Sequence, residues 1–314
     1  MKRKSLLILL ILSLMVSLVA CSSGGPDKDN DVDAVIENDV EKEDDIQENE
    51  VEGMEDKRII AGTLMSAELL DLFDVNPVGV LTSEKGLPAR YDNTAKIGSP
   101  MKPDLEIVTS LEPEVYITDA SQEEALEELF KGSDFEMLYL SNNSYENIFT
   151  NIENVGQYLG KEDKANEIIS EMRAKEKRIM DSVAGKESPN VLVLFGTPES
   201  FMIATPNSYT GNLVEKLGGT NVASDLAQGK PMPYLPFSLE TIADMNPDII
   251  LRLTHVSPEL SRKAFEEEFS KGFWTNLDAV KNDNVFDLDP DHFGVTANMR
   301  VMSALENMAE ILYN

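Results

Sequence analysis

The stretch KEDKANEIISEMRAKEKRIMDSVA, residues 161–184, contains neither glycine nor proline. Among its charged positions, apolar side chains recur near helical spacing, at Ile168, Met172, Ile179 and Val183. This pattern predicts one uninterrupted amphipathic helix, about 36 Å long at 1.5 Å per residue. A helix of that length can join two lobes, so the fold class depends on what lies on either side of it.

On both sides of this helix, short apolar segments alternate with segments of helical pattern. Before it, the predicted strands are 58–61, 76–81, 115–118 and 135–140, and the predicted helices are 64–73, 104–111, 122–130 and 145–159. After it, the predicted strands are 190–195, 201–204, 248–253 and 285–288, and the predicted helices are 211–217, 239–245, 258–269 and 297–313. Such alternation is typical of parallel α/β sheets. We therefore predict an α/β protein with two Rossmann-like lobes, 57–160 and 185–314, whose central parallel sheets are joined by the linking helix 161–184.

The N-terminus has the pattern of a secretory signal. Three basic residues at 2–4 precede the apolar run 6–19, and Leu-Val-Ala-Cys follows at 18–21. The apolar run is short for a membrane-spanning helix, and its small-residue ending is typical of signal-peptide cleavage. The ending also resembles a bacterial lipobox, in which the cysteine is diacylated. We predict a signal peptide at 1–20 and lipidation of Cys21, the one cysteine of the chain.

Residues 21–56 are predicted to form an acidic, disordered tether. Positions 26–56 contain fifteen Asp or Glu, two Lys and no aromatic residue. Such a segment cannot bury enough apolar surface to offset the entropy lost on ordering. The formal net charge of the whole chain is −30, which argues against nucleic acid as a partner.

Catalytic motifs are absent from the sequence, so we predict a binding protein and not an enzyme. There is no Gly-x-Ser-x-Gly, no P-loop and no Gly-x-Gly-x-x-Gly, and lipidation of the single cysteine would leave no thiol nucleophile. Two histidines with carboxylates could bind a bare metal ion, but their spacing of 37 residues fits no local metal motif. A metal-ion receptor, an enzyme of similar shape and a structural surface protein therefore stay open as weaker alternatives.

Met101 and His255 stand where ligands bind in open α/β sheets. His255 comes directly after the predicted buried strand 248–253 and Thr254, and ligands bind outside the carboxyl ends of such strands. Met101 lies between two prolines in Ser-Pro-Met-Lys-Pro, 99–103, just before a predicted helix. A methionine and a histidine together can hold haem iron.

Five segments resemble class III substrate-binding lipoproteins of iron-uptake ABC importers, most closely the haem-receptor lipoproteins of the iron-regulated surface determinant system. They are Arg-Ile-Ile-Ala-Gly-Thr-Leu at 58–64, the run from Thr82 through Ile-Gly-Ser-Pro-Met-Lys-Pro at 97–103, 208–222, 246–255 and 293–298. The resemblance covers nearly all of 57–314 and implies the class III periplasmic-binding-protein fold.

The resemblance also implies roles for individual residues. Met101 and His255 are expected as the axial ligands of haem iron. Backbone N–H groups of Thr63, Leu64 and Met65 are expected to meet the haem propionates, with Lys85 nearby. Helix N-termini suit such anionic oxygens. The expected pocket walls are Tyr209, Phe293, Gly294, Val295 and Thr296. His292 departs from the family pattern and is an alternative ligand.

The same resemblance implies a place and partners. Haem would be the transported ligand, not a catalytic cofactor, and a siderophore or cobalamin would be the alternative ligand. The partners would be an ABC permease with its ATPase and an upstream surface protein that donates haem. Glu68 and Glu215 are candidates for permease docking. The lipid on Cys21 would hold the receptor at the extracellular face of the cytoplasmic membrane of a Gram-positive bacterium.

Overall fold

A computed structural model describes residues 57–229, 232–255 and 257–313. The predicted signal peptide, the predicted lipidation site Cys21 and the predicted tether 21–56 lie outside the described residues. Among the helices that are described, none combines the length and the apolarity that a membrane span requires.

The first lobe is built on a five-stranded sheet. Its strands are β1 (Ile59–Ala61), β2 (Gly79–Val80), β3 (Ala95–Lys96), β6 (Val115–Asp119) and β7 (Glu136–Leu140). Between β3 and β6, the two-stranded hairpin of β4 (Gly98–Ser99) and β5 (Lys102–Pro103) stands apart from this sheet. The helices are α1 (Leu64–Leu72), α2 (Leu105–Ser110), α3 (Glu123–Leu129) and α4 (Tyr145–Leu159).

The five strands follow the order β3-β2-β1-β6-β7, and every neighbouring pair is parallel. Successive side chains enter opposite cores: Ile59 packs into the cluster that holds α1 and α4, and Ile60 packs on the other face with Tyr116. Burial on both faces explains why these strands are continuous apolar runs. The strand order reverses direction between β1 and β6, which is where a doubly wound sheet opens a ligand crevice.

The second lobe has a mixed sheet of six strands. They are β8 (Asn190–Gly196), β9 (Phe201–Ala204), β10 (Thr220–Asn221), β11 (Tyr234–Pro236), β12 (Ile249–Thr254) and β13 (Val285–Asp287). The helices are α6 (Tyr209–Lys216), α7 (Leu239–Met245), α8 (Pro258–Phe269), α9 (Asp278–Lys281) and α10 (Val301–Tyr313).

The prediction of a purely parallel second sheet needs correction, because β9 runs antiparallel to both β8 and β11. Only residues 197–200 separate β8 from β9. A link this short allows a hairpin but no crossover helix, which a parallel pair would need. The strands β8, β12 and β13 pair in the parallel sense as predicted. The short strand β10, which the sequence does not predict, also pairs in parallel with β8. The carboxyl ends of β8 and β12 therefore still lie at one edge of the sheet.

The long helix is α5 (Glu162–Val183), with 22 residues. It contacts α4 of the first lobe and α10 of the second lobe. Its buried residues Ala165, Ile179 and Val183 belong to a core cluster that also contains residues of both sheets. Both lobes fall within one compact unit, so the predicted boundaries at 160 and 184 stay predictions.

Candidate functional site

The carboxyl ends of the two sets of parallel strands face each other across the lobes. The loop after β2 reaches the loop after β13, where Lys85 Nζ donates to the carbonyl of Pro290 at 3.3 Å. The loop after β7 also contacts the second lobe. Its Asn142 carbonyl accepts a hydrogen bond of 2.6 Å from the N–H of Ala297, a second-lobe residue. These contacts bring together the loops at the strand ends, and we call the region between these loops the interlobe cleft.

The N-terminus of α1 begins at the end of β1, beside the point where the strand order reverses. Thr63 caps the helix: Ser66 N–H donates to Thr63 Oγ1 at 3.2 Å, and Thr63 N–H donates to Ser66 Oγ at 3.0 Å. This capping box uses the N–H of Thr63. Leu64 and Met65 are the first two helical residues, and N–H groups there have no intrahelical acceptor. Of the three predicted propionate donors, these two are the ones suited to bind an anion.

Gly62 lets the chain turn closely between β1 and α1. A Cβ at this position would lie 2.3 Å from the ring of Tyr116, a residue of β6. The hydroxyl of Tyr116 is buried and has no hydrogen-bond partner among the described residues. The glycine therefore allows α1 to start directly over the tyrosine ring.

Met101 lies at the tip of the β4–β5 hairpin. Gly98 and Ser99 pair with Lys102 and Pro103, which leaves Pro100 and Met101 as the two turn residues. The side chain is 81% exposed, the highest exposure among the large hydrophobic residues of the described chain. Its sulfur accepts a hydrogen bond from Gln122 Nε2 at 3.5 Å. A thioether is thus presented at the carboxyl edge of the first sheet instead of being packed in a core.

His255 is exposed at the carboxyl end of β12, as the sequence predicts. Partial burial, followed by the positive charge of Lys85, lowers the pKa of its imidazole. A lowered pKa favours the neutral ring, which is the form that binds iron. Lys85, a residue of the first lobe, thus contributes to the electrostatics at the end of β12.

Lys85 is engaged with the second lobe. Besides the carbonyl of Pro290, its ammonium group lies 4.0 Å from the carboxylate of Asp291. Both partners belong to the segment between β13 and α10, and the ion pair is largely exposed. The predicted propionate-binding lysine therefore lies in the interlobe cleft, with partners that an anionic ligand could replace.

His292, the alternative iron ligand, is oriented by its own loop. Its Nδ1 lies 3.0 Å from Asp289 Oδ2. Its backbone N–H donates to the carbonyl of Asp289 at 3.1 Å. One ring nitrogen therefore faces a carboxylate, which orients the ring and leaves the other nitrogen available, as at many metal-binding histidines. His255 stays the predicted iron ligand because it follows the carboxyl end of β12, and His292 stays the alternative.

The residues predicted as pocket walls divide into two groups. Tyr209 and Phe293 are buried in the core, at 0% and 1% exposure. They therefore do not form cleft surface in this structure, because the apolar N-terminus of α6 and the segment before α10 pack inward. Gly294 and Val295 are half-buried and Thr296 is exposed. These three residues directly precede Ala297, whose N–H donates to the carbonyl of Asn142.

The two candidate docking carboxylates are used inside the molecule. Glu68 on α1 is only 18% exposed and lies 3.9 Å from the guanidinium of Arg300. Glu215 accepts hydrogen bonds from Asn221 N–H at 2.9 Å and from Ser224 Oγ at 3.0 Å, near the start of β8. Both carboxylates therefore have partners within the chain, and their role in permease docking stays a prediction.

The sequence analysis missed Gln122 and Arg300, the partners of Met101 and Glu68. A charge pattern cannot identify them, because each partner lies far away in the chain. In the described part of the chain, no three His, Cys, Asp or Glu residues cluster as a metal site would require. The geometry therefore gives no support to a bare metal-ion site made of such residues.

Three surface grooves lie away from these residues. One, of about 540 Å³, runs between α5 and α10 and is lined by residues such as Lys175 and Glu306. A second, of about 580 Å³, lies beside the end of α10 and the start of β12. The third, of about 660 Å³, lies beside β10 and α7, near the amino ends of the second-lobe strands. None contains a thioether or an imidazole near a strand's carboxyl end, so we take the interlobe cleft as the candidate site.

The chain is similar in sequence and in structure to proteins of known families. The chain is 33% identical to the high-affinity heme uptake system protein IsdE of Staphylococcus aureus, over 82% of this chain and 87% of that protein. A crystal structure of S. aureus IsdE complexed with heme superposes with a TM-score of 0.74 and 32% identity, covering 82% of this chain and 99% of that chain. An ABC transporter substrate-binding protein from Listeria monocytogenes EGD-e gives a TM-score of 0.75 and 36% identity with the same coverage.

The relatives confirm the predicted class III binding-protein fold, and they are substrate-binding proteins and not enzymes. The family profile described as periplasmic binding protein matches residues 59–292, which span both sheets. The chain belongs to the periplasmic binding protein family.

Proposed function

We propose that this chain is a lipid-anchored extracellular receptor that binds haem in the interlobe cleft and delivers it to an ABC permease. The observation that carries the proposal is the placement of two iron-binding side chains. An exposed thioether, Met101, and an exposed imidazole, His255, each follow a strand's carboxyl end in a different lobe. The similarity to the haem-complexed relative supports haem as the ligand.

In this proposal Met101 and His255 bind the iron from opposite faces of the porphyrin. A thioether and an imidazole are a known axial pair for haem iron. The imidazole is suited to this role because burial and Lys85 lower its pKa, which keeps its ring nitrogen unprotonated. One ligand from each lobe would also make iron binding depend on the relative position of the lobes.

The haem propionates would be held by the first lobe. The N–H groups of Leu64 and Met65 open α1, and the positive end of a helix stabilises a carboxylate. Lys85 would exchange the carbonyl of Pro290 and the carboxylate of Asp291 for a propionate. Val295 and Thr296 would contact the porphyrin from the second lobe.

The receptor would act outside the cell, beside its transporter. A diacyl lipid on Cys21 and the acidic segment 22–56 would tether the two lobes to the extracellular face of the cytoplasmic membrane. The ABC permease with its ATPase would receive haem, and a surface protein would supply it. Glu68 and Glu215 are weaker docking candidates than the sequence suggests, because both carboxylates have internal partners.

Titration of residues 22–314 with haemin tests the proposal. We expect a six-coordinate absorption spectrum at one haem per chain. Met101→Ala and His255→Ala should each abolish the six-coordinate form. Met232→Ala is the matched control for Met101, because Met232 is also an exposed methionine, at 49%. His292→Ala is the control for His255, and both control variants should keep the wild-type spectrum.

Two outcomes would contradict the proposal in different ways. No change of the haem spectrum on mixing would exclude haem and favour a siderophore or cobalamin, which a competition assay with these ligands can then test. Loss of six-coordination in His292→Ala but not in His255→Ala would keep haem and replace the ligand.

A further inference from the structure

We infer that Gln122 is a positioning residue for Met101, holding its thioether sulfur ready for the iron through a hydrogen bond from the side-chain amide. The inference rests on the proposed function, in which Met101 binds haem iron. Gln122 would thus contact the sulfur of Met101 and not the haem itself.

The backbone of Gln122 is fixed by the loop that follows β6. Asp119, the last residue of that strand, accepts a hydrogen bond from Ser121 N–H at 2.7 Å through Oδ1. Its other carboxylate oxygen accepts from the side-chain amide of Asn142. The chain then makes one 3-10 turn, Ala120–Gln122, before α3 begins. These contacts therefore hold the backbone of Gln122 next to the strand-order reversal between β1 and β6.

The amide of Gln122 is oriented by a buried hydroxyl. Thr118 in β6 has no exposed surface, and its Oγ1 donates to Gln122 Oε1 at 3.0 Å. The amide nitrogen is thereby turned outward, where it lies 3.5 Å from Met101 Sδ. The assignment is chemically consistent because a thioether sulfur can only accept. A chain of two hydrogen bonds thus runs from the core of the first lobe to the hairpin tip.

Met101 needs such a partner. Its side chain has three rotatable bonds and is 81% exposed, so packing alone does not select one conformation. The sulfur has two lone pairs. An N–H donor at one of them fixes the thioether and leaves the other lone pair for iron. Partners of this kind orient metal ligands and tune the metal in other proteins.

The first test uses the ligand-free chain and does not depend on haem. Methionine ε-methyl groups are labelled with ¹³C, and the order parameter of the Met101 methyl is measured by NMR. Gln122→Glu keeps the length and the acceptor for Thr118 but removes the N–H donor, and Gln122→Leu removes the donor without adding charge. Gln157→Glu, an exposed glutamine on α4, is the control. We expect lower Met101 order in both Gln122 variants and wild-type order in the control.

The second test measures haem. We expect both Gln122 variants to lose about 10- to 100-fold in haem affinity, the usual effect of removing a ligand's supporting partner. They should also weaken the sulfur-to-iron charge-transfer band of the ferric protein. If Gln122 acts through Met101, the double variant Met101→Ala/Gln122→Leu should bind haem no more weakly than Met101→Ala alone.

The outcomes separate the inference from the proposed function. Equal Met101 order in wild type and both Gln122 variants would overturn the inference, even if haem binds through Met101. An additional loss in the double variant would also overturn it, because Gln122 would then act independently of the sulfur. If wild type binds no haem, the proposed function fails and the ligation role fails with it, and the NMR comparison still decides whether Gln122 holds the sulfur.

Discussion

Single residues in the interlobe cleft differ in whether their surroundings are set by neighbours in the chain or by residues far away in the sequence. Met101 gains its exposure from a two-residue hairpin turn, whereas the pKa of His255 depends on partial burial and on a lysine from the other lobe. Iron binding by a histidine competes with its protonation. The charge of Lys85 therefore bears on the protonation of His255 as well as on the contacts between the lobes.

Lys85→Met is expected to raise the pKa of His255 in the ligand-free chain, because it removes a positive charge that disfavours the imidazolium. Lys85→Arg keeps the charge and should leave the pKa close to that of wild type. NMR titration of the two histidine rings measures this. Lys131→Met, in an exposed ion pair with Glu128 of α3, is the control. An unchanged His255 pKa in Lys85→Met would contradict the electrostatic influence of Lys85 on the imidazole.

The sign of the pH effect follows from the lowered pKa. The unfolded chain binds a proton at His255 more readily than the folded chain does. His255 therefore favours the folded state fully only above its unfolded pKa, and this contribution is lost as pH falls through that value toward the lower folded pKa. Haem binding should weaken in the same direction, because protonation removes the ligand lone pair.

At the scale of secondary structure, local contacts position the N-terminus of α1, the end that we propose binds an anion. The junction of β1 and α1 depends on a glycine that leaves room for the ring of Tyr116. The helix then starts with a reciprocal capping box between Thr63 and Ser66. The two together put the free N–H groups of Leu64 and Met65 at the strand-order reversal.

Gly62→Ala is expected to destabilise the protein by about 1–3 kcal/mol, the usual cost of overpacking a core. The new Cβ would lie 2.3 Å from the Tyr116 ring, which is itself fully buried. Urea unfolding measures the change. Gly272→Ala is the control, because a Cβ there meets no atom within 4 Å. If both variants unfold at the same urea concentration as wild type, that result would contradict the close approach of Gly62 to the Tyr116 ring.

At the scale of the whole molecule, polar pairs cross between the lobes above a shared apolar core. Lys85 contacts the segment after β13, and Glu68 lies near Arg300 at the start of α10. Burial raises the pKa of Glu68, and the guanidinium of Arg300 only partly opposes this. The ionised carboxylate of Glu68 is therefore held at a net cost in stability.

Glu68→Gln is expected to raise the free energy of unfolding at pH 8, since it removes a charge that burial disfavours. The gain should shrink as pH falls, because wild-type Glu68 then takes up a proton in the folded state and regains stability. Urea unfolding at several pH values measures the difference. Glu128→Gln, in an exposed pair with Lys131, should change little. Lower stability of Glu68→Gln at pH 8 would show that the attraction to Arg300 outweighs burial.

Features set by local pattern could be predicted from the sequence, and features set by distant partners could not. Apolar periodicity correctly predicts α4 and α8 to the residue and α5 to within a few residues. The reversed direction of β9 depends on strand pairing, which periodicity does not encode. The hairpin around Met101 contains little apolar pattern, so it was predicted only as a loop.

The candidate site follows the same rule. His255 was predicted at a strand end because the preceding apolar run is local. The burial of Tyr209 and the pairing of Glu68 with Arg300 depend on how α6 and α10 pack, over separations that no single-sequence pattern reports. Gln122 was missed because a glutamine on an acidic helical segment is usually solvated.

The central claim is that Met101 and His255 bind the iron of haem together. X-ray absorption at the iron edge of the haem-loaded chain tests it most directly, because sulfur and nitrogen neighbours scatter differently. We expect the iron of the wild-type chain to have one sulfur neighbour and otherwise nitrogen neighbours. The sulfur should be lost in Met101→Ala and retained in Met232→Ala. A first coordination shell without sulfur in wild type would contradict it.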